Sequence, residues 1–168
     1  MRAQSRRCRR EPRPHERIWQ DRRVDKNLKD EWLICLNDLK ALNLISICEG
    51  NLSERRNSHP HINLRLKDEY LSAISGLWHK AGLIPQRVIG NLFSLEDTSI
   101  EIELRDTFRS RGGDYSNRKH LTIKLHCTYP RESESMDNRI KVWFQAVINK
   151  IKELDKFILD LHKEAAGQ

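Results

Sequence analysis

The densest group of reactive and metal-ligating side chains in this chain lies in one short segment, from Cys48 to His61. Cys48 and Glu49 end an apolar run, and a ten-residue turn, 50–59, leads to His59 and His61. If the flanking segments pair as a hairpin, the histidines lie beside the thiol and the carboxylate. An imidazole beside a thiol lowers the thiol pKa, and thiolate, carboxylate and imidazole are all zinc ligands. The segment therefore predicts a small polar site for a metal or small ligand.

Two versions of this site are open. In the catalytic version, which is hydrolytic, Cys48 or a metal-bound water is the nucleophile, and His59 or His61 is the base. Glu49 is then a ligand or an orienting carboxylate. In the binding version a transition metal such as zinc is held, and a histidine from the same polar face completes the site. The candidate ligands are Cys48, Glu49, His59, His61, His120 and His126. A structural alternative is that Cys48 packs as a small apolar side chain and His-Pro-His sets the turn.

A second segment of interest, 105–119, is basic: it has five basic and two acidic residues around Gly112-Gly113. We interpret it as a long polar loop between two strands. Arginines of such a loop hold phosphates, and aromatic rings stack on bases. The candidate nucleic-acid-binding residues are Phe108, Arg109, Arg111, Tyr115, Arg118 and Lys119. A solvated hairpin loop is the alternative.

The basic charge is concentrated at one end of the chain. The net charge is +7, and nine arginines against three acids give residues 1–23 a net charge of +6. With almost no apolar residues to bury, 1–23 is expected to be a disordered tail, and 24–168 one domain. The tail is either a nucleic-acid-binding arm or a solvated segment. It lacks the apolar core of a secretory signal, so a cytoplasmic protein is expected.

Hydrophobic periodicity predicts an α+β fold. The spacing predicts helices at 25–42, with Asn27 as cap, at 68–82 and at 138–163. Strands are predicted at 44–49, 61–67, 99–105 and 120–127, with a further short strand within 87–93. The order α-β-β-α-(β)-β-β-α indicates a two-layer domain in which three helices cover one face of an antiparallel sheet of 4–5 strands.

The uncovered face of that sheet is predicted to be polar. Its members alternate with apolar residues along the strands: His61, Asn63, Arg65, Ser99, Glu101, Glu103, Arg105, His120, Thr122, Lys124 and His126. Cross-strand ion pairs of Glu101 or Glu103 with Lys124 or Arg65 explain this composition structurally. A polar platform for a ligand or nucleic acid is the functional alternative.

The last helix offers a further interaction surface. At about 1.5 Å per residue it is roughly 39 Å long, whereas the strands cover roughly 20 Å. The overhang, near Phe157, is a surface for a second chain. A homodimer through this helix is therefore one alternative, and with it an interaction protein.

A family resemblance bears on the nucleic-acid hypothesis. The element order, the small basic chain and the run Glu49-Gly50-Asn51-Leu52-Ser53 followed by basic residues resemble a LAGLIDADG homing endonuclease. The resemblance implies that Glu49 holds a catalytic metal and that the sheet lies over DNA. The chain departs from the motif at 42–47, where bulky residues replace the small ones that let two helices pack closely.

The composition and the missing motifs argue against several classes of protein. No apolar run approaches about 18 residues, which argues against an integral membrane protein. The phosphate-binding motif G-x-x-x-x-G-K-[ST], the dinucleotide-binding motif G-x-G-x-x-G and the nucleophile motif G-x-S-x-G are all missing. Mononucleotide kinases, Rossmann dehydrogenases and α/β-hydrolases are therefore disfavoured.

Overall fold

The computed structural model describes residues 11–52, 59–72, 85–111 and 114–167, with the backbone alone at 85, 86, 88, 104–111 and 114–119. Within these residues the chain forms six strands and three helices. The strands are β1 (Glu16–Trp19), β2 (Arg22–Asp25), β3 (Leu42–Cys48), β4 (His61–Leu66), β5 (Thr98–Arg111) and β6 (Asp114–Cys127). The helices are α1 (Asp30–Asn37), α2 (Pro85–Leu92) and α3 (Asn138–Ala166), with a 3-10 turn at Asp68–Tyr70.

The main sheet has four antiparallel strands in the order β3-β4-β6-β5, and β1 and β2 form a separate two-stranded sheet. The alternation in β4 and β6 places Ile62, Leu64, Ile123 and Leu125 in the core. The helices supply the other half of that core, where the rings of Trp32 and Phe144 stack 5.1 Å apart. The predicted two-layer α+β fold with an antiparallel sheet is confirmed.

Helix α3 begins where the sequence predicts and extends three residues further. The Asp137 carboxylate caps its first turn by accepting a hydrogen bond from the backbone N–H of Arg139 at 2.9 Å. Its buried stripe includes Ile140, Phe144, Val147 and Ile151. No helix of the described residues is long and apolar enough to cross a membrane.

Helix α1 is much shorter than the predicted helix 25–42. Asn27 does not cap it, because the cap position is Lys29 and its side chain makes no capping bond. At the other end the Asp155 carboxylate accepts hydrogen bonds from the backbone N–H groups of Lys40, Ala41 and Leu42, at 3.1, 2.8 and 3.1 Å. This long-range contact holds residues 40–42 outside the helix and starts β3 at Leu42.

Residues 16–23, part of the predicted disordered tail, instead belong to the hairpin β1–β2. Its turn residues Gln20 and Asp21 both have positive φ, 45° and 61°, as a tight two-residue hairpin turn requires. Trp19 is buried against the core. Arg17 donates to the Leu28 carbonyl at 2.7 Å and pairs with Asp30. One large aromatic side chain and these bonds order a segment that its polar composition marks as disordered. Residues 1–10 lie outside the described residues.

Two further predictions fail between residues 85 and 119. The segment 87–93, predicted as a short strand, lies largely in α2, because Ile89 and Phe93 are four residues apart and both buried, which is a helical spacing. The predicted loop at 105–119 is instead the outer part of two 14-residue strands that leave only 112–113 between them. Of the helix predicted at 68–82, residues 73–82 lie outside the described residues.

Candidate functional site

The open face of the main sheet brings distant candidate residues into cross-strand rows. Cys48 pairs with His61, His61 with His126, and His126 with Ser99, so one row crosses all four strands. Two positions along, a second row contains Ser46, Asn63, Lys124 and Glu101. The polar face predicted from alternation is therefore confirmed for the strands β4, β5 and β6.

A β-bulge places Cys48 in the first row. The register of β3 against β4 shifts between Leu44 and Ser46, which leaves Ile45 unpaired and 53% exposed. Since side chains alternate between faces, the extra residue moves Ile47 to the core side and Cys48 to the open face. In the run 44–48 Ser46 is the only polar residue, so the sequence carries no alternation that would have predicted this.

His61 and His126 are cross-strand neighbours on this face. Their ring centroids are 5.6 Å apart with the planes tilted by 38°. Burial lowers the pKa of His126, and the neighbouring charge of His61 lowers it further. The Nδ1 atom of His61 lies 3.3 Å from the His59 carbonyl oxygen. Since a carbonyl only accepts, Nδ1 carries a proton, and Nε2 of His61 is left for a ligand.

His59 takes no part in that pair. Its Nδ1 atom lies 3.0 Å from the carbonyl oxygen of Cys127 at the end of β6, so the ring ties the chain before β4 to the sheet. His120 lies at the far end of the face, where its Nε2 is 2.9 Å from Arg65 Nη2 and its Nδ1 is 3.6 Å from Asp68. His59 and His120 therefore lie apart from the His61–His126 pair and from each other.

The Cys48 thiol is not activated. Burial and the neighbouring Asp25 carboxylate raise its pKa to about 12. The Sγ atom accepts a hydrogen bond from the Gly50 backbone N–H at 3.3 Å, where Gly50 has a φ of 92°. The negative charge beside the thiol opposes the thiolate that a cysteine nucleophile requires.

Glu49 lies off the open face in a buried ion pair with Arg131, and its side chain is 1% exposed. Its carboxylate also accepts hydrogen bonds from the backbone N–H and side-chain amide of Asn27, both at 3.2 Å. Arg131 donates further to the carbonyls of Ser133, at 2.9 Å, and Glu134. Arg131 was not among the predicted site residues, because a partner 82 residues away leaves no local pattern.

The six candidate metal ligands therefore do not converge. Among the residues that the structure describes, no group of three or more His, Cys, Asp or Glu side chains is arranged to hold a metal ion. Cys48, His61 and His126 share a row, whereas Glu49, His59 and His120 have the separate partners given above.

The charges of the sheet face are largely paired. Lys124 Nζ lies 3.6 Å from Glu103 and 4.0 Å from Glu101, which confirms the predicted cross-strand pairing. The amide of Asn63 donates to Ser46 Oγ at 2.9 Å. The centre of the face thus has fixed polar groups and little net charge.

The outer parts of β5 and β6 form an arm, residues 106–111 and 114–119, that continues this face. One continuous register runs from the pair Thr98–Cys127 to the pair Arg111–Asp114. Alternation places Arg105, Arg109, Arg111 and Arg118 on the same face as Glu101 and His126. It places Phe108, Tyr115 and Lys119 on the opposite face. The predicted nucleic-acid-binding set is therefore divided between two faces of the arm.

Comparison with known proteins finds no relative: no family model matches the chain, and no curated protein or solved structure is significantly similar. The resemblance to LAGLIDADG endonucleases is thus without a family match. Glu49, the metal ligand that this resemblance implies, is occupied by Arg131 and Asn27. The geometry of the open face and the arm is the basis for assigning a function.

Proposed function

We propose that the protein binds nucleic acid, with a phosphate backbone lying along the arm and the nucleotides reaching the open face of the sheet. The observation that carries the proposal is the continuous β5–β6 register. It aligns four arginine positions of two strands on one face. At about 3.3 Å per residue the six arm residues of each strand extend this face by roughly 20 Å.

The distribution of charge favours the arm as the phosphate-binding part. On the sheet face Lys124 is offset by Glu101 and Glu103. On the arm face the only acidic position is Asp114, against Arg109, Arg111 and Arg118, with Arg105 at the base of the arm. Guanidinium groups bind phosphate oxygens in a bidentate manner, so this row suits a polyanion.

The sheet face suits the nucleotides themselves. Half-buried His61, His126 and Asn63 supply hydrogen-bonding groups and flat rings without strong charge. A base or sugar over these residues is not repelled, because the two glutamates are paired with Lys124. A metal or small-ligand site at Cys48–His61 is less well supported, since Glu49 is buried in an ion pair and the pKa of Cys48 is raised.

The test is fluorescence anisotropy of the full chain with a labelled single-stranded RNA of about 20 nucleotides, at several salt concentrations. Replacing Arg109 and Arg111 together by alanine is expected to weaken binding about tenfold or more. The log–log salt slope should fall by about 1–2, because two phosphate contacts are lost.

The matched control is Lys152→Ala with Lys156→Ala, which removes the same charge from exposed positions of α3, in the layer behind the sheet. Affinity and salt slope should stay close to those of the parent protein. Equal losses in both double variants would mean general polycation attraction and would overturn the assignment of the arm, as would absence of binding by the parent protein.

A further inference from the structure

We propose that the His61–His126 pair cleaves RNA by metal-independent transesterification, with His126 as general base and His61 as general acid. This activity rests on the nucleic-acid binding proposed above. The observation that carries it is geometric: two imidazoles occupy paired positions of neighbouring strands, with ring centroids 5.6 Å apart, in the row next to Lys124.

The surroundings distinguish the two imidazoles. His61 donates from Nδ1 to the His59 carbonyl, so Nε2 is the nitrogen that is left to exchange a proton with a substrate. His126 has no such acceptor among the described residues, and burial together with the charge of His61 keeps it neutral. Two neighbouring imidazoles in different hydrogen-bonding environments can take the separate roles of acid and base.

The reaction balances without a metal or a redox partner. Neutral His126 takes the proton of a ribose 2′-OH, and the 2′-oxygen forms a bond to the adjacent phosphorus. The bond from phosphorus to the 5′-oxygen breaks, and protonated His61 gives its proton to that oxygen. The products are a 2′,3′-cyclic phosphate and a free 5′-OH. Water then opens the cyclic phosphate with the roles exchanged: neutral His61 takes a proton from water, and protonated His126 returns one to the 2′-oxygen.

The groups around the pair are consistent with a phosphate that lies over the two rings. Lys124 lies two residues before His126 on the same strand and face, so a cation is present in the row next to the developing negative charge. Glu101 and His59 are the other charged or titratable groups that act on His126. In the same row Cys48 is a protonated thiol and Ser99 a hydroxyl, so no carboxylate of that row competes with the phosphate.

The experiment uses the full chain in EDTA with a quenched fluorescent DNA oligonucleotide that contains a single ribonucleotide. Cleavage is expected only after that ribonucleotide, with a 2′,3′-cyclic phosphate in the product, and an all-deoxy oligonucleotide should stay intact. His61→Gln and His126→Gln should each lower the cleavage rate at saturating substrate at least about 100-fold, a far larger effect than their loss of RNA affinity. His162→Gln, which removes a histidine that packs on Tyr70 in the helical layer, should cleave as the parent does.

Two further readouts keep the proposal testable if a glutamine variant folds poorly. The pH profile of the parent should be bell-shaped, because the reaction requires one neutral and one protonated imidazole. Added imidazole should restore part of the rate to His126→Ala, which a purely structural histidine would not allow.

The outcomes separate this inference from the proposed function. RNA binding without cleavage by the parent protein would overturn the catalytic pair and leave the binding proposal standing. Absence of binding would refute both. Cleavage at an unchanged rate in both histidine variants would assign the activity to a contaminating ribonuclease and refute the inference alone.

Discussion

At the scale of single residues, burial decides which charged groups are available for chemistry. Glu49 and Arg131 are 1% and 4% exposed at the side chain, and each makes further hydrogen bonds beside the ion pair. Burial raises the pKa of Glu49, and the hydrogen bond and charge of Arg131 oppose that effect. The pair joins the end of β3 to the segment before α3, so we assign it a structural role.

Arg131→Met is expected to lower the free energy of unfolding by about 3–5 kcal/mol, because it leaves the buried Glu49 carboxylate without its cation. Urea denaturation measures the change. The double variant Glu49→Gln with Arg131→Met should recover part of the loss, since no buried charge remains. Arg139→Met, which breaks an exposed pair with Asp97, is the matched control and should cost far less. A loss no larger than that of the control would contradict the buried-pair assignment.

Cys48 provides a prediction on pH. A thiol pKa of about 12 means that the thiolate is present in only about one molecule in ten thousand at pH 8. Alkylation of Cys48 by iodoacetamide, followed by mass spectrometry, should therefore be slow at pH 8 and accelerate tenfold per pH unit towards pH 11. Asp25→Asn should increase the rate at pH 8, because it removes the carboxylate that raises the pKa. Rapid alkylation of the parent at pH 7 would instead indicate an activated cysteine.

At the scale of elements, a side chain from α3 sets the boundary between α1 and β3. The Asp155 carboxylate binds three consecutive backbone N–H groups at residues 40–42, and Ala41 and Leu42 are fully buried. The apolar period that predicts a helix to residue 42 is overridden because these amides find a charged acceptor more than 110 residues away.

Asp155→Ala should destabilise the fold by about 3 kcal/mol, since buried N–H groups lose their acceptor. Asp155→Asn keeps one acceptor oxygen, so its loss should be smaller. Asp160→Ala, at an exposed position of the same helix, is the control. Thermal and urea unfolding of the three variants give their order of stability. Equal stability of Asp155→Ala and the control would show that other groups accept hydrogen bonds from these amides.

The elements also show which patterns in the sequence were informative. Strict alternation in β4 and β6 predicted both faces of the sheet, because a half-buried strand leaves period two in the residue types. The helical spacing of apolar residues along α3 predicted which of its side chains are buried in the same way. The bulge at Ile45 and the pairing of Glu49 with Arg131 depend on register and on distant partners, so no local pattern predicts them. As a result the structure brings together only part of the predicted cluster: His61 lies beside Cys48 and His126, whereas Glu49 and His59 have other partners, and the site itself stays a prediction.

At the scale of the whole molecule, the two layers have different surfaces. One face of the sheet is closed by the helices, and the other is open and polar and continues into a basic arm. The homodimer expected through the last helix stays a prediction, and Phe157, at 40% exposure, is the residue to change in testing it. Phe157→Glu should leave the open face unaffected, because α3 belongs to the opposite layer.

The position of β4 inside the sheet has a consequence for synthesis of the chain on the ribosome. One edge of β4 pairs at once with β3, but its other partner, β6, ends at Cys127, about 60 residues later. At about 5–20 residues per second the second edge waits roughly 3–12 s for its partner. During that interval the apolar side of a two-stranded hairpin, with Ile62, Leu64 and Leu66, stands uncovered by the last helix. The nascent chain is therefore expected to need a chaperone most while residues 67–127 are being translated.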